Sequence, residues 1–386
     1  MPLLFLLVPS ALVGLGVITL QWSQGGPAVA VDRQRAREVK QVEGQIAQVA
    51  SQWKAAAGQS REPPGPAAPS TQSGASAAAS PAASSALPTA PPAVVPPGAY
   101  VSSPLSLPPR AARDGAPTVR IASFNIQVFG VSKLNKPPVV QLLAEVIRRF
   151  DVVAIQEIRS ADDAVMPRFV SLVNASGARY DFVIGPRLGR TSSKEQYAFV
   201  YDTARIEVDP RFVYTVPDPQ DRLHREPLVA YFRVRGPPPS QAFTFALANI
   251  HTDPDETASE LDALADVFVG IQRNGTGEDD VILLGDLNVN EYRLGNLGRL
   301  PGIRYAVSGA PTNTRRDKTY DNIVFDGRAT VEYTGRWGVL DLMREFGLSR
   351  DQALEVSDHM PVWAEFTIYE GLPGQPVAVR AGELSR

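Results

Sequence analysis

The hydrophobic and polar positions divide the chain into three regimes. Residues 3–22 form an uncharged, strongly apolar run of twenty. A helix needs roughly 20 such residues to cross a bilayer, and no polar face interrupts the run as it would in a buried soluble helix. Residues 31–56 are polar and compatible with a helical stalk, and residues 57–117 are dominated by Ala, Pro, Ser and Gly. Such a segment buries too little apolar surface to offset its ordering entropy and reads as a disordered linker. Beyond it the pattern changes to short apolar runs alternating with amphipathic ones. Strands are predicted at 119–124, 151–155, 197–201, 228–234, 242–250, 281–284, 323–325 and 361–368. Helices are predicted at 139–150, 165–173 and 256–272, the last repeating Leu261, Leu264, Ala265 and Phe268 at helical spacing. This mixture predicts a layered α/β domain with two sheets over residues 118–370, followed by a polar tail at 371–386.

Composition and charge change the picture at the edges. No basic residue precedes the apolar run, which favours an uncleaved anchor over a cleaved signal segment within residues 1–30. Ala28-Val-Ala30 supplies the small residues of a cleavage site as the alternative. Arg33, Arg35, Arg37 and Lys40 favour the cytoplasmic side, but acidic residues are interspersed, so the side is left open. The expected location is membrane-anchored or secreted/periplasmic. With no cysteine in the chain there is neither a disulfide nor a thiolate metal site. A net charge of −3 argues against a strong non-specific nucleic-acid binder, but not against an enzyme acting on one.

The candidate chemistry collects at strand ends. Val281-Ile-Leu-Leu-Gly-Asp-Leu-Asn288 reads as a buried strand running out into two polar residues. On a continuing strand Asp286 and Asn288 would face the same side; alone, the segment reads first as a strand closed by an Asp/Asn turn. Four other strand ends carry similar residues: Asn125, then Gln156 with Glu157, then His251, then Asp358 with His359. Strand ends are where α/β folds build their sites. Carboxylate and amide oxygens suit Mg²⁺ or Mn²⁺ rather than zinc. Two of the three histidines stand in these positions, where carboxylates can bias them as acid and base. Together these groups form a phosphodiester-cleaving set.

Ser123-Phe-Asn-Ile126, Ile155-Gln-Glu157, Gly285-Asp-Leu-Asn288, Tyr320-Asp321 and Ser357-Asp-His359 resemble, in order, the signature blocks of the endonuclease/exonuclease/phosphatase superfamily, and within it deoxyribonuclease I. The segment from Gly185 to Tyr197 and Arg225-Glu-Pro227 resemble further blocks of that enzyme. The resemblance implies a four-layer sandwich of two packed mixed β-sheets flanked by helices. It implies Glu157 at the catalytic Mg²⁺ or Mn²⁺, with Asn125 and Asp358 close by. His251 and His359 would be the acid/base pair, oriented by Glu195 and Asp321. Asp286 and Asn288 would position phosphate or water, and Arg159, Arg225 and Tyr320 would contact the nucleic-acid backbone, which carries no sequence information. The implied activity is hydrolysis of DNA to 5′-phosphate ends at low sequence specificity.

The chain also departs from that pattern. Ser193 stands where the vertebrate enzyme places an aromatic in the minor groove. Pro311-Thr-Asn-Thr-Arg-Arg-Asp-Lys318 replaces the acidic calcium loop, so the resemblance gives no basis for structural Ca²⁺ there. Arg315, Arg316 and Lys318 read as a solvated charged loop, with added phosphate contacts as the alternative. Two rival readings use the same core: a phosphodiesterase or phosphatase on a lipid or inositol phosphate, and a silent binding module. An N-terminal anchor makes the lipid rival reasonable. The module requires a broken site, and the six main site residues are all present.

Overall fold

The computed structural model describes residues 117–371 other than Ser193. The apolar run, the stalk, the linker up to residue 116 and the tail beyond 371 lie outside the described residues, as does the expectation for Ser193.

The first sheet contains β1 (Thr118–Phe129), β2 (Val152–Ile158), β3 (Tyr180–Ile184), β4 (Gln196–Asp202), β11 (Tyr333–Val339) and β12 (Val362–Thr367). The second contains β5 (Ile206–Thr215), β6 (Leu228–Val234), β7 (Thr244–His251), β8 (Val281–Asp286), β9 (Ile303–Tyr305) and β10 (Asp321–Asp326). The strand orders are β11-β12-β1-β2-β4-β3 and β5-β6-β7-β8-β10-β9. Each sheet has one parallel pair at its centre, β1 with β2 and β7 with β8, and antiparallel neighbours around it.

Alternation along the strands builds the layers. Val119 and Ile121 of β1, with Val152 and Ala154 of β2, pack on Leu228, Ala230, Phe232, Leu247, Ile282 and Leu284 of the second sheet. The intervening residues Ala122, Phe124, Val153 and Ile155 face the helices Pro137–Ile147 and Val165–Asn174. On the far side, Ala246, Ala248 and Leu283 meet helix Thr257–Gln272. Side chains two apart share a face, so strands apolar at every position serve two cores. The result is the expected helix–sheet–sheet–helix sandwich.

The differences from the pattern-based expectation have a common cause. The four strands it missed, β3, β5, β9 and β11, are the four sheet edges. In β5 only Ile206 is fully buried, so no alternation marks it. The first long helix begins at Pro137, where a proline at the first turn costs no hydrogen bond, and ends at Ile147 rather than at Phe150.

Candidate active site

The parallel pairs bring the polar strand ends to one edge of the sandwich. His251 closes β7 and Asp286 closes β8, and the two are in register. Asp321 opens β10 antiparallel to β8 and pairs with Asp286. Asn125 on β1 pairs with Gln156 on β2, next to Glu157. His359 lies just before β12, which runs antiparallel to β1. Gly285 makes this register possible. A Cβ there would lie 1.9 Å from the Ile250 carbonyl oxygen, and its φ is +155°. Only glycine lets the backbones approach so closely.

Two imidazoles converge on one carboxylate. Nε2 of His251 lies 3.6 Å and Nε2 of His359 3.4 Å from Oδ2 of Asp286. Behind them, Nδ1 of His251 is 2.9 Å from Oε1 of Glu195, and Nδ1 of His359 is 2.9 Å from Oδ2 of Asp321. All five of these side chains are buried. A carboxylate at Nδ1 keeps the proton there in the neutral ring and leaves the Nε2 lone pair directed at the site. Asn125 Nδ2 donates to Asp286 Oδ2 at 3.1 Å and to Glu157 Oε1 at 3.3 Å, which ties the two strand-end carboxylates together. Glu157 Oε2 accepts from the Val128 amide at 2.8 Å. Glu157 itself sits at φ +62°, a conformation costly for a residue with a Cβ and one that marks functional sites.

Burial and charge oppose each other here. Burial works against charge on His251, but the hydrogen bond and charge of Glu195 hold its pKa above the ordinary value. Burial likewise opposes charge on His359, and Asp321 and Asp286 together lift it well above. Burial would raise Asp286, yet the two imidazoles hold it low. Asp286 and the imidazoles thus stabilise one another's charged forms, whereas burial, with Asp286 nearby, raises Asp321 despite His359.

Arg225 and Asn288 stand differently from the sequence expectation. Arg225, expected at the nucleic-acid backbone, is buried. Its Nε pairs with Glu195 Oε1 at 2.9 Å, and Nη1 donates to the His251 carbonyl at 3.2 Å. The guanidinium braces the Glu195–His251 pair from behind, because a buried Glu195 demands a cationic partner. Asn288 does not share a strand face with Asp286: β8 ends at Asp286 and Asn288 turns to φ +53°. Its amide N–H donates to Asp286 Oδ1 at 3.0 Å and its side chain to the Thr252 carbonyl at 2.8 Å, closing an Asx turn. Arg159 is half-buried between Glu157 (3.4 Å) and Glu195 (3.6 Å). Tyr320 is half-buried with its ring 5.8 Å from that of His359. Asp358 is half-buried beside the site.

Other residues received no role from the sequence. Lys133 donates to the carbonyls of Ile126, Gln127 and Val356 and brings its ammonium near Asp358 and Glu157. Burial lowers its pKa to about 8. Thr312 donates to Asp321 Oδ2 at 2.7 Å, and Ser357 Oγ donates to the Asn125 carbonyl at 2.7 Å while receiving the His359 amide. Tyr197 hydroxyl accepts the His251 amide at 2.9 Å. Asn249 joins the sheets, donating to the Ile155 and Ala198 carbonyls and accepting from Gln156 at 2.6 Å. Only the buried Asn and Gln at strand ends carried a signal, since polar residues in apolar strands require partners.

The donor set suits a hard divalent ion. Glu157 presents a carboxylate at the site edge, held by Asn125 and the Val128 amide. Asp286, Asp321 and His359 offer further ligand atoms within 4.8 Å of one another. Oxygen donors predominate and thiolates are absent from the chain, the chemistry that favours Mg²⁺ or Mn²⁺ over zinc.

The profile of the Endonuclease/Exonuclease/phosphatase family matches residues 122–359, and the chain belongs to that family. Its similarity lies on the deoxyribonuclease side. Deoxyribonuclease gamma of Rattus norvegicus is 31% identical over 267 residues, covering 64% of this chain and 84% of that relative. Deoxyribonuclease-1-like 2 of Homo sapiens is 31% identical over 278 residues, covering 64% of this chain and 92% of that relative. A solved structure of humanized D. rerio TDP2 aligns with 65% of this chain and 100% of its own at 16% identity, with a TM-score of 0.48.

Proposed function

We propose that this chain is a metal-dependent phosphodiesterase, and specifically an endonuclease that hydrolyses DNA with little sequence preference. The observation that carries the reading is the convergence of both imidazole Nε2 atoms on Asp286, with a carboxylate behind each ring. One imidazole accepts a proton from water at Nε2 as the water oxygen attacks phosphorus. The other, charged, gives its Nε2 proton to the departing 3′-oxygen. The P–O3′ bond breaks, and the products are a 5′-phosphate and a 3′-hydroxyl. The carboxylates behind the rings favour the protonated imidazoles, most of all His359, which suits His359 to give up the proton and leaves His251 to accept one. Asn125 and Asn288 hold Asp286 in place so that the rings do not collapse onto each other. A divalent ion held by Glu157, with Asn125 and Asp358 nearby, would neutralise phosphate charge.

The similarity to deoxyribonucleases supports nucleic acid as the substrate. The test is plasmid nicking by the full-length protein with Mg²⁺ or Mn²⁺, beside hydrolysis of a phosphoinositide. Metal-dependent nicking that falls by about 10² or more in both His251→Ala and Glu157→Ala is expected. An intact plasmid with phosphoinositide turnover would transfer the same chemistry to a lipid phosphodiesterase.

A further inference from the structure

At the opposite end of β8 three carboxylates meet. Asp280 directly precedes β8, Glu332 directly precedes β11, and Glu370 follows β12. One oxygen from each lies within 4.8 Å of the other two. The six residues of β8 put Asp280 roughly 20 Å from the carboxylate of Asp286, so the cluster is separate from the acid/base site.

Hydrogen bonding accounts for only part of it. Glu332 Oε1 accepts from the Gly371 amide at 2.6 Å, and Glu370 Oε2 accepts from the Thr244 amide at 3.0 Å. Asp280 is 1% exposed and Glu332 0%, yet Asp280 Oδ1 and Glu332 Oε2 have no hydrogen-bond partner. The Thr330 hydroxyl, also 1% exposed, lies near enough to Asp280 to favour its charged form but in no well-formed hydrogen bond. Two deeply buried carboxylate oxygens are therefore left without donors, where unsatisfied groups are rare and costly. Among the described residues, no Lys, Arg or His forms an ion pair with these carboxylates.

We propose that Asp280, Glu332, Glu370 and the Thr330 hydroxyl form a structural Ca²⁺ site. Every donor is an oxygen, and Ca²⁺ takes oxygens at about 2.3–2.6 Å in flexible geometry, so opposite ligands stand about 5 Å apart. Oxygens within 4.8 Å of one another can share such an ion, whereas Mg²⁺ keeps several of its waters, for which side chains this buried leave little room. Burial first, then the charge of Glu332, pushes Asp280 up to about 9, and burial pushes Glu332 up to about 7; a divalent ion removes that penalty. A surface groove of about 670 Å³, bordered by Thr244, Glu278, Asp279 and Glu370, runs along one of the ligands. Asp280 belongs to the second sheet, while Glu332 and Glu370 flank strands of the first. The ion would clamp the two sheets together and hold the chain where it leaves β12.

The test uses full-length protein carrying Glu157→Gln, which removes the principal ligand expected at the catalytic centre, after chelation and dialysis. Calorimetric titration with Ca²⁺ should show one site, and Ca²⁺ should raise the melting temperature. Adding Asp280→Asn with Glu332→Gln should weaken binding at least tenfold and abolish the thermal shift. Should that variant fail to fold, Thr330→Val leaves every charge in place and should still weaken Ca²⁺ several-fold. Absence of Ca²⁺ binding, or equal binding with Asp280 and Glu332 replaced, would overturn the proposal. So would a protein indifferent to Ca²⁺ whose melting temperature rises on acidification from pH 8 to pH 6, because a shared proton would then occupy the cluster.

Discussion

Arg225 Nε and His251 Nδ1 lie at the same distance, 2.9 Å, from the same oxygen, Oε1 of Glu195. One carboxylate oxygen thus holds a structural cation and a reactive ring at once. Arg225 is thereby a positioning residue for His251, and this separates it from a phosphate contact. Arg225→Ala should lower kcat on plasmid and on a small phosphodiester alike, by about 10² for a misplaced ring, with KM little changed. Arg225→Lys should rescue it in part. A rise in KM confined to nucleic acid would return Arg225 to the substrate.

His359 predicts a pH dependence of stability. Its folded pKa is raised well above the ordinary value: burial opposes charge on the ring, and the Asp321 and Asp286 carboxylates more than offset it. A raised pKa contributes stability that is full below the unfolded value of about 6.5 and is lost as pH rises through the folded value. Urea unfolding of the wild type should therefore weaken from about pH 6.5 upward. Asp321→Asn should flatten that slope; an unchanged slope would assign the effect to other groups.

Gly285 tolerates no side chain. With a Cβ 1.9 Å from the Ile250 carbonyl oxygen and φ at +155°, Gly285→Ala must push β8 from β7. A loss of about 3 kcal/mol or more in denaturant melts is expected, together with loss of the His251–Asp286 register and of activity.

Asn249 is buried and saturated: it donates at 3.1 Å to Ile155 and at 3.0 Å to Ala198 across the sheets. Asn249→Ala removes a donor from each carbonyl and an acceptor from the Gln156 amide. The cost should be about 3 kcal/mol, measurable by chemical denaturation, with a smaller loss for Asn249→Asp.

The sequence carried the centre of each sheet and the catalytic edge because both leave strong local marks. Val281–Asp286 is apolar throughout, and a polar residue at the end of such a strand stands out. The edges leave weaker marks: β5 and β3 alternate poorly because solvent covers what a neighbour would. Arg225 was legible as a basic residue in a motif but not as a buried one, since its partner Glu195 is thirty positions away in sequence. Lys133 and Thr312 act through contacts that no spacing encodes. The cluster at Asp280 was equally hidden, because Glu332 and Glu370 reach it only through the stacking of two sheets.

The pairing of β1 with β12 has a wider consequence. Thr118 lies beside Thr367, and the Ile368 amide donates to the Pro117 carbonyl at 3.2 Å. The point where the chain comes into the sandwich and the point where it leaves are therefore neighbours. Asn125 stands seven positions further along β1, roughly 23 Å away at the other edge. A domain whose ends meet behaves like a bead on a loop: it can be spliced into or hung from other polypeptide without reshaping its interior. Cargo attached at either end leaves the hydrolytic face pointing outward.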